Sequence, residues 1–498
     1  MSRVFLTTTI PYVNAPPHLG FALEAVQADI LARYHRRRGD DVRLLTGTDD
    51  NSLKNVLAAE AAGVGVQQWV DRHALALAAL REPLALSYDD FIRTSIDPRH
   101  RLGVERLWRA CLDAGDLYRG RYEGLYCVGC ESYYTPDELA GGRCPEHGTE
   151  PQHLVEDNWF FRLSRYAGPL REVIGTGELR IEPEHRRNEV LALIDGGLRD
   201  FSVSRSRQRA RGWGIGVPGD PDQVIYVWWD ALGNYVNSLD YGTSGAAYER
   251  WWAGSNRRIH LLGKGVVRFH AVYWPAMLLS AGLPLPTELF VHDYLTIDGE
   301  KISKSAGGGA DPAAIVSRFG TDAVRWWLAR DVPRVGDVDF TVDRLVARAN
   351  SDLAGGVGNL VNRVVTMVHR YRDGQVPDRG PAGPLGAVAA VAEKAVDAAL
   401  AGFDLRAATT SVLTVVAAAN RQIESERPWE LARAEAGGDP VAASRLDGVL
   451  AGLVAACRSI GDLLEPFVPA TAAAVTAQCT PRDNELPPPR PVFSRLPD

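Results

Sequence analysis

The first fifty residues contain the pattern that most restricts the fold: a strand, a helix and a second strand in direct succession. The run RVFLTTTI is short, apolar and rich in β-branched residues, which is typical of a buried parallel strand. Apolar residues then recur at helical spacing from Gly20 to Arg38, and Gly39 ends the predicted helix. The run DVRLLTGT supplies the second strand. This succession predicts a right-handed βαβ unit, and therefore an α/β Rossmann-type domain with a parallel sheet.

Polar turns follow both strands, with the sequences PPHLG and GTDD. Ligands of open parallel sheets bind at the carboxyl ends of the strands. His18 stands just before a helix N-terminus, where backbone N–H groups and the helix dipole favour phosphate, and Gly20 lets a flat base approach the backbone. Far along the chain, KISKS places Lys301 and Lys304 on a loop next to glycines, where lysines can stabilise the charge of a polyphosphate. Alone, a lysine–serine loop is usually a solvated turn, but the two motifs together predict a nucleotide site.

Length and charge limit the remaining possibilities. The chain has 498 residues, enough for three or four domains of ~150 residues each. Its net charge of −7 excludes a global basic field, so a polyanion partner would need local basic patches. No apolar run approaches the ~20 residues of a membrane span, and the N-terminus lacks the order of a signal peptide. These features predict a cytoplasmic protein without a membrane partner, and the end of the chain after a proline-rich tail predicts a monomer.

A cluster of cysteines predicts a metal site. Of six cysteines, Cys127 and Cys130 form one close pair. Thirteen residues separate Cys130 from Cys144, which precedes His147 by three positions. Two such pairs on tight turns can bring three thiolates and one imidazole to a tetrahedral Zn²⁺ with all positions filled by protein. The site is therefore expected to be structural. The alternative is two unrelated pairs in a loop-rich region.

Seven stretches together resemble the class I aminoacyl-tRNA synthetases and, among them, the methionyl-tRNA synthetases. They are TTTIPYVNAPPHLG, VSR, YVWWDALGNY, FHAVYWPAML, KISKS, NLVNR and RPWELA, and the resemblance covers nearly the whole chain. It implies that L-methionine is activated by ATP, with Mg²⁺, to methionyl-adenylate and then transferred to the 3′ end of methionine tRNA.

The resemblance also implies a division into domains. The expected parts are the first half of a Rossmann catalytic domain at 1–116, an inserted connective domain with the zinc knuckle at 117–200, the second half of the catalytic domain at 201–290, a stem-contact region with the KISKS loop at 291–344, an all-α anticodon-binding bundle at 345–480 and a returning C-terminal tail at 481–498.

Site residues are carried over position by position from the family. The methionine pocket is expected to comprise Ile10, Tyr12, Asp49, Trp228, Ala231, Leu232, Tyr235, Phe269, His270 and Trp274. ATP is expected to contact His18, Gly20, Phe21, Gly263, Lys301 and Lys304, with His18 and both lysines as catalytic groups. Asp49 matches the carboxylate that holds the substrate's ammonium group, and aromatic walls suit a polarizable thioether. Core packing is the alternative for any single tryptophan.

Three positions in the C-terminal part match the family's anticodon readers. Asn359 and Arg363 are four residues apart, so they share one helix face, and Trp429 follows a proline in RPWELA. Single-stranded RNA loops are read by stacking of unpaired bases on aromatic or arginine planes and by hydrogen bonds to base edges. An ordinary amphipathic helix accounts equally well for NLVNR alone.

The reaction centre departs from the family pattern. Phe21 stands where the first motif usually ends in a second histidine, Asn51 and Ser52 replace a histidine and a glycine, and Gly265 replaces an aspartate. The loop after KISKS reads AGGGADP instead of carrying a glycine–asparagine pair. Loss of one transition-state donor typically costs ~10²–10³ in rate, so Phe21 predicts a slower reaction than the family's usual one.

These departures leave two other functions open. The chain could be an adenylate-forming paralog of specialised metabolism that uses another acceptor or amino acid, because a fold does not settle function. It could also be a tRNA-binding protein without catalysis. Amino-acid-dependent pyrophosphate exchange, followed by tRNA charging, distinguishes the three hypotheses.

Overall fold

The computed structural model describes residues 2–146, 148–297, 299–301, 311–378 and 383–497, which form two compact units. One is built mainly from Met1–Glu82 and Leu86–Tyr294, and the other mainly from Pro83–Ala85 and Pro312–Asp498. The strands are β1 (Arg3–Thr7), β2 (Asp41–Thr48), β3 (Asp90–Arg93), β4 (Leu117–Cys127), β5 (Ser132–Tyr134), β6 (Gln152–Phe161), β7 (Arg180–Glu182), β8 (Phe201–Ser202), β9 (Ser204–Ser206), β10 (Gly216–Val217), β11 (Asp220–Ile225), β12 (Arg257–Gly263), β13 (Glu288–His292), β14 (Leu295–Ile297), β15 (Glu300–Lys301) and β16 (Val338–Asp339).

The α-helices of the first unit connect and cover these strands. They are α1 (Leu19–Arg37), α2 (Leu53–Ala61), α3 (Val66–Ala78), α4 (Pro98–Asp113), α5 (Ala167–Thr176), α6 (Glu184–Asp195), α7 (Val227–Leu232), α8 (Asn234–Asn237), α9 (Ala246–Tyr248) and α10 (Trp274–Ser280). A short π-helical segment, Phe269–Tyr273, runs directly into α10.

A six-stranded parallel sheet forms the centre of the first unit. Its strand order is β3-β2-β1-β12-β13-β7, and the described pairings are all parallel. The chain moves outward from β1 on one side and returns to β12 on the other, so the strand order reverses between these two strands. Ligands of doubly wound sheets bind at such a reversal, outside the carboxyl ends of the strands.

The predicted βαβ unit at the N-terminus is confirmed. The strands β1 and β2 pair in parallel and α1 connects them. The side chain of His18 accepts a hydrogen bond from the amide of Gly20 and caps α1. At the other end, Gly39 adopts a φ of +81°, the left-handed conformation that favours glycine after a helix.

The segment after α4 forms a separate antiparallel sheet with the order β5-β4-β6-β8. The clustered cysteines lie at one end of this sheet, because β4 ends at Cys127 and β5 begins at Ser132. The strand β7 lies within the range 117–200 expected for the insert, yet it pairs with β13 at the edge of the parallel sheet. The six domain ranges remain predictions.

The second unit is mostly helical. Its helices are α11 (Pro312–Phe319), α12 (Thr321–Arg330), α13 (Val342–Arg348), α14 (Asn359–Arg372), α15 (Pro384–Ala401), α16 (Leu405–Glu426), α17 (Pro428–Ala436), α18 (Pro440–Leu464) and α19 (Pro469–Cys479). Among the described residues, α18 alone is long and apolar enough to cross a membrane. Its side chains Leu446, Leu450 and Leu453 are fully buried, as expected of a core helix.

Candidate active site

Two residues predicted to bind the substrate meet at the carboxyl edge of the parallel sheet. Tyr12 follows β1 and Asp49 follows β2, and the two form an isolated parallel bridge. The amide of Asp49 donates a hydrogen bond to the carbonyl of Pro11 at 2.9 Å. The Nδ2 of Asn55, in α2, donates to the carbonyl of Asp49 at 2.9 Å, and the amide of Asn51 donates to its Oδ1 at 3.2 Å. The sheet and the start of α2 therefore fix Asp49 together.

A cavity of about 150 Å³ opens beside these two residues. The predicted pocket residues that line it are Ile10, Tyr12, Asp49, Trp228, Ala231, Leu232, Tyr235 and His270. Its wall also includes Thr9, Pro11, Asn234 and Val266, which were not predicted. Each of these four lies within four positions of a predicted pocket residue, and this neighbourhood is the only signal that could have identified them.

Aromatic rings form one wall of the cavity. Trp228 stacks on Phe269 with ring centroids 3.7 Å apart and an interplanar angle of 3°, and its edge meets the ring of Tyr12. Phe269 therefore supports the wall from behind. Trp274 is fully buried next to Tyr235 and donates from Nε1 to the Nε2 of His260 at 3.3 Å.

The floor of the cavity is polar but uncharged. The Nδ1 of His270 lies 2.9 Å from the carbonyl of Val266, which can only accept, so this nitrogen carries the proton. The Nε2 of His270 then accepts from the hydroxyl of Tyr235 at 2.7 Å. Burial lowers the pKa of His270 to about 4. Near neutral pH the floor is thus a neutral imidazole paired with a phenol.

Buried carboxylates lie close to the opposite side. Burial, and then the negative charges of Asp230 and Glu131, raise the pKa of Asp49 well above its ordinary value. Asp230 accepts hydrogen bonds from the Nε2 of His100 and from the Nδ2 of Asn51. A bound cation would relieve the repulsion among these carboxylates. The cavity therefore combines an edge lined by a carboxylate, aromatic and aliphatic walls and a neutral floor.

The turn before α1 is closed by hydrogen bonds to His18, whose carbonyl accepts from the amides of Phe21 and Ala22. The Nδ1 of His18 accepts from the amide of Gly20 at 3.1 Å, so in the neutral ring the proton is on Nε2. A Cβ on residue 20 would lie 3.0 Å from the imidazole of His18, which explains the glycine. Gly263 ends β12, the strand on the other side of the reversal. Lys301 lies in β15, and Lys304 lies outside the described residues.

The residues that depart from the family pattern pack against apolar side chains or form hydrogen bonds inside the protein. Phe21 packs on an apolar cluster around Val13 and Val70. The side chain of Asn51 donates to Asp230 at 2.7 Å, and the hydroxyl of Ser52 donates to Glu131 at 2.7 Å.

Gly265 leaves room for the ring of Tyr294, which lies two residues after the end of β13. A Cβ at this position would lie 2.1 Å from the hydroxyl of Tyr294, so the tyrosine fills the space that an aspartate side chain would need.

Three of the four predicted metal ligands cluster. The Sγ atoms of Cys127, Cys130 and Cys144 lie within 4.8 Å of one another, and those of Cys130 and Cys144 are 3.7 Å apart. Tetrahedral Zn²⁺ with Zn–S bonds of about 2.3 Å separates its sulfur ligands by about 3.8 Å. The thiols therefore fit Zn²⁺, which would cross-link the turn. The fourth predicted ligand, His147, lies outside the described residues.

The predicted anticodon residues lie in the helical unit. Asn359 is exposed at the start of α14. Arg363, one turn later, donates from Nη1 to the Oδ1 of Asn420 in α16 at 3.2 Å. Trp429 is half-buried in the first turn of α17.

The sequence reasoning missed three buried groups beside the cavity: His100, Glu131 and Asp230. Each is at most 1 % exposed. Glu131 directly follows Cys130 and Asp230 lies two residues after Trp228, so proximity to a motif was the available signal. His100 carried no signal, because only the tertiary structure brings it to Asp230.

Comparisons with known proteins agree with this geometry. The sequence profile of the family described as tRNA synthetases class I (M) matches residues 4–156 and 136–365. The methionine–tRNA ligase of Caldanaerobacter subterraneus is 39 % identical over 472 residues, which are 94 % of this chain and 72 % of the relative. The enzyme of Brucella suis is 37 % identical over 519 residues, 99 % of this chain and 98 % of the relative.

Solved structures are similar over the same range. The methionyl-tRNA synthetase of Mycobacterium tuberculosis in complex with methionyl-adenylate has a TM-score of 0.92 and 36 % identity, over 99 % of this chain and 100 % of that chain. The ligand-free form of that enzyme has a TM-score of 0.85 and 32 % identity, over 100 % of this chain and 99 % of that chain.

The parallel sheet, its reversal and the capped turn at His18 define the catalytic domain of a class I aminoacyl-tRNA synthetase. The matches extend through the cysteine turn and the helical unit. The chain belongs to the methionyl-tRNA synthetase family, whose members are methionine–tRNA ligases.

Proposed function

We propose that the cavity binds L-methionine, with the ammonium group at Asp49 and the thioether among the rings of Tyr12, Trp228 and Tyr235. The carboxylate of Asp49 accepts a hydrogen bond from the amide of Asn51, its backbone carbonyl accepts one from Asn55, and the carboxylate lies in a negative field that a cation relieves. The hydroxyl of Tyr12 is buried and has no hydrogen-bond partner among the described residues. A ligand atom would satisfy it.

The neutral floor supports selection of an uncharged side chain. A lysine or glutamate side chain would lose its hydration against the neutral pair of His270 and Tyr235, which is costly in a buried site. A thioether carries no charge and packs well against aromatic rings. The floor therefore favours methionine over charged amino acids of similar length.

ATP is proposed to bind at the turn before α1. His18 is proposed to contact a phosphate oxygen, and Gly20 and Gly263 are proposed to line the approach of the nucleotide. The methionine carboxylate attacks the α-phosphorus, pyrophosphate leaves, and methionyl-adenylate remains. Lys301 and Lys304 stabilise the charge that develops on the phosphates. Mg²⁺ would neutralise the polyphosphate when bound.

The second step transfers the methionyl group to tRNA. A ribose hydroxyl at the tRNA 3′ end attacks the adenylate carbonyl, and AMP leaves. Asn359, Arg363 and Trp429 are proposed to read unstacked anticodon bases. Zn²⁺ held by Cys127, Cys130, Cys144 and His147 has a structural role in this scheme. A monomeric, cytoplasmic enzyme is part of the same proposal.

The cavity with Asp49 at its edge carries this proposal. Pyrophosphate exchange with each amino acid, followed by charging of methionine tRNA, tests it. Methionine-dependent exchange with charging is expected. Exchange without charging, or exchange with a different amino acid, would instead identify the adenylate-forming paralog, which the altered residues at Phe21, Asn51, Ser52 and Gly265 favour. RNA binding without exchange would identify a non-catalytic protein.

A further inference from the structure

A single buried glutamate joins the cysteine turn to the amino-acid cavity. Glu131 directly follows Cys130, is fully buried and has a φ of +53°. A buried carboxylate is costly unless it is paired and hydrogen-bonded, and a non-glycine residue in the left-handed region is uncommon. The surrounding contacts must therefore hold both the charge and the backbone of this residue.

The carboxylate of Glu131 connects three parts of the first unit. Its Oε1 accepts from the hydroxyl of Ser52 at 2.7 Å and from the amide of Lys54 at 3.2 Å, both at the start of α2. Its Oε2 accepts from the hydroxyl of Tyr126 at 3.0 Å and from the Nη1 of Arg205 at 3.0 Å. Every one of these partners is a donor, so an ionised carboxylate fits the site and an amide does not.

The start of α2 is connected to Asp49 both along the chain and by a hydrogen bond. The helix begins after Ser52, only three residues beyond Asp49, and Asn55 in its first turn donates to the carbonyl of Asp49. A displacement of this turn would therefore move the carboxylate at the edge of the cavity.

The backbone of the same turn supports the aromatic wall. The carbonyl of Cys130 accepts from the Nε1 of Trp228 at 3.4 Å. The carbonyl of Glu131 accepts from the hydroxyl of Tyr226. The guanidinium of Arg205 lies 5.3 Å from the ring centre of Tyr126 and 5.2 Å from that of Tyr226. The side chain and the backbone of one dipeptide are thus connected both to Asp49 and to Trp228 in the cavity wall.

We propose that Glu131 is a positioning residue of the amino-acid site, which transmits the conformation of the cysteine turn to Asp49 and Trp228. Ser52, one of the departures from the family pattern, is its partner on α2. This inference rests on the proposed binding of methionine in the cavity. It predicts that disturbing Glu131 weakens binding of methionine far more than binding of ATP.

The test compares methionine binding and pyrophosphate exchange in the wild-type protein, Glu131→Gln and Ser52→Ala. In Glu131→Gln, the side-chain NH2 group of the glutamine faces hydrogen-bond donors. The hydrogen bonds that the charged carboxylate of Glu131 accepted at the replaced oxygen are therefore lost. The dissociation constant for methionine, measured by calorimetry without ATP, should rise about 10- to 100-fold. Ser52→Ala removes one hydrogen bond and should raise the dissociation constant for methionine about 3- to 10-fold. The KM for ATP should change less than twofold in both variants.

Glu123→Gln is the matched control, because Glu123 lies in β4 near the same turn and its side chain is 64 % exposed. It should leave both substrates unaffected. The zinc content of each variant, measured by atomic absorption, should equal that of the wild-type protein.

Three results would overturn the inference: unchanged methionine affinity in Ser52→Ala and Glu131→Gln, equal changes for methionine and ATP, or loss of zinc that alone accounts for the weaker binding. If Glu131→Gln does not fold, the methionine affinity of Ser52→Ala decides whether the inference holds. A wild-type protein that does not bind methionine would refute the proposed function instead, so the two failures are distinguishable.

Discussion

At the residue scale, the site depends on ionisable groups whose neighbours decide their charge. Asp49 lies near Asp230 and Glu131, whose charges raise its pKa, so a cation bound beside it would relieve the repulsion. His270 is kept neutral by burial, although an exposed histidine near pH 6.5 would be half-charged. The same residue types exposed on the surface would not have their pKa values shifted by burial, so the charge state of Asp49 and His270 depends on their surroundings.

Replacing Asp49 by asparagine should abolish the attraction for the ammonium group. We expect Asp49→Asn to raise the dissociation constant for methionine about 10- to 100-fold, the range of a hydrogen bond to a charged group. The wild-type affinity should also fall as pH is lowered toward the raised pKa of Asp49, because protonation removes the carboxylate. Calorimetric titration at several pH values measures both effects. Asp195→Asn, at a half-exposed carboxylate, serves as the control; an equal loss in this variant would contradict the assignment.

Position 21 allows a direct test of the departure from the family pattern. Phe21 packs on the cluster around Val13 and Val70 and borders a small apolar space with Ala25 and Tyr88. An imidazole there would be directed into apolar surroundings. We expect Phe21→His to lower the free energy of unfolding by about 1–2 kcal/mol and to leave the exchange rate within twofold. Phe21→Leu should retain both properties. A tenfold faster exchange in Phe21→His would mean that this position faces the nucleotide and limits the rate.

At the scale of elements, individual helix starts and strand ends place the functional groups. The start of α1 holds His18, the start of α2 holds Asp49 through Asn55, and the end of β4 begins the cysteine turn. Helix starts expose N–H groups that bind carboxylates or phosphates. The proposed roles of the two units, amino-acid activation in the first and anticodon recognition in the second, can therefore be tested by changing one element at a time.

The first turn of α17 should affect tRNA charging alone. Trp429 is half-buried, and an aromatic ring contributes about 1–3 kcal/mol for each base stacked on it. We expect Trp429→Ala to reduce kcat/KM for tRNA in charging about 5- to 100-fold, with methionine-dependent pyrophosphate exchange unchanged. Val441→Ala, at a 73 % exposed position of α18, is the control. Equal loss of exchange and charging would indicate a folding defect instead of a lost RNA contact.

At the scale of the whole molecule, buried histidines make the stability depend on pH. Burial lowers the pKa of His270 to about 4 and that of His260 well below its ordinary value. His292 behaves in the opposite way: burial lowers its pKa, but the hydrogen bond and charge of Glu24, together with Asp293, outweigh burial and raise the pKa. The stabilisation from His292 is present in acid and is lost as the pH rises through its raised pKa.

We expect the contribution of His270 to the free energy of unfolding to decrease as the pH falls from 6.5 to about 4. The unfolded chain binds a proton at position 270 in this range and the folded chain does not, so stability rises with pH there. By pH 4 the effect of His270 amounts to about 3 kcal/mol. Urea unfolding followed by tryptophan fluorescence measures it. His270→Gln should show a smaller dependence, and His153→Gln, at an exposed histidine, should match the wild-type protein. Identical curves for all three proteins would show that His270 does not titrate differently on folding.

The sequence by itself determined the local features, because each depends on residues that are close along the chain. Helical spacing and Gly39 predicted α1, alternation of strand and helix predicted the parallel sheet, and the cysteine spacing predicted a cluster that three Sγ atoms now form. The resemblance supplied the cavity residues. Only the tertiary structure decided their chemical state. Asp230 faces His100, Glu131 faces Ser52 and Arg205, and Tyr294 fills the space beside Gly265. These partners are separated by tens of residues, and burial and charge arise from packing in three dimensions, which no local pattern encodes.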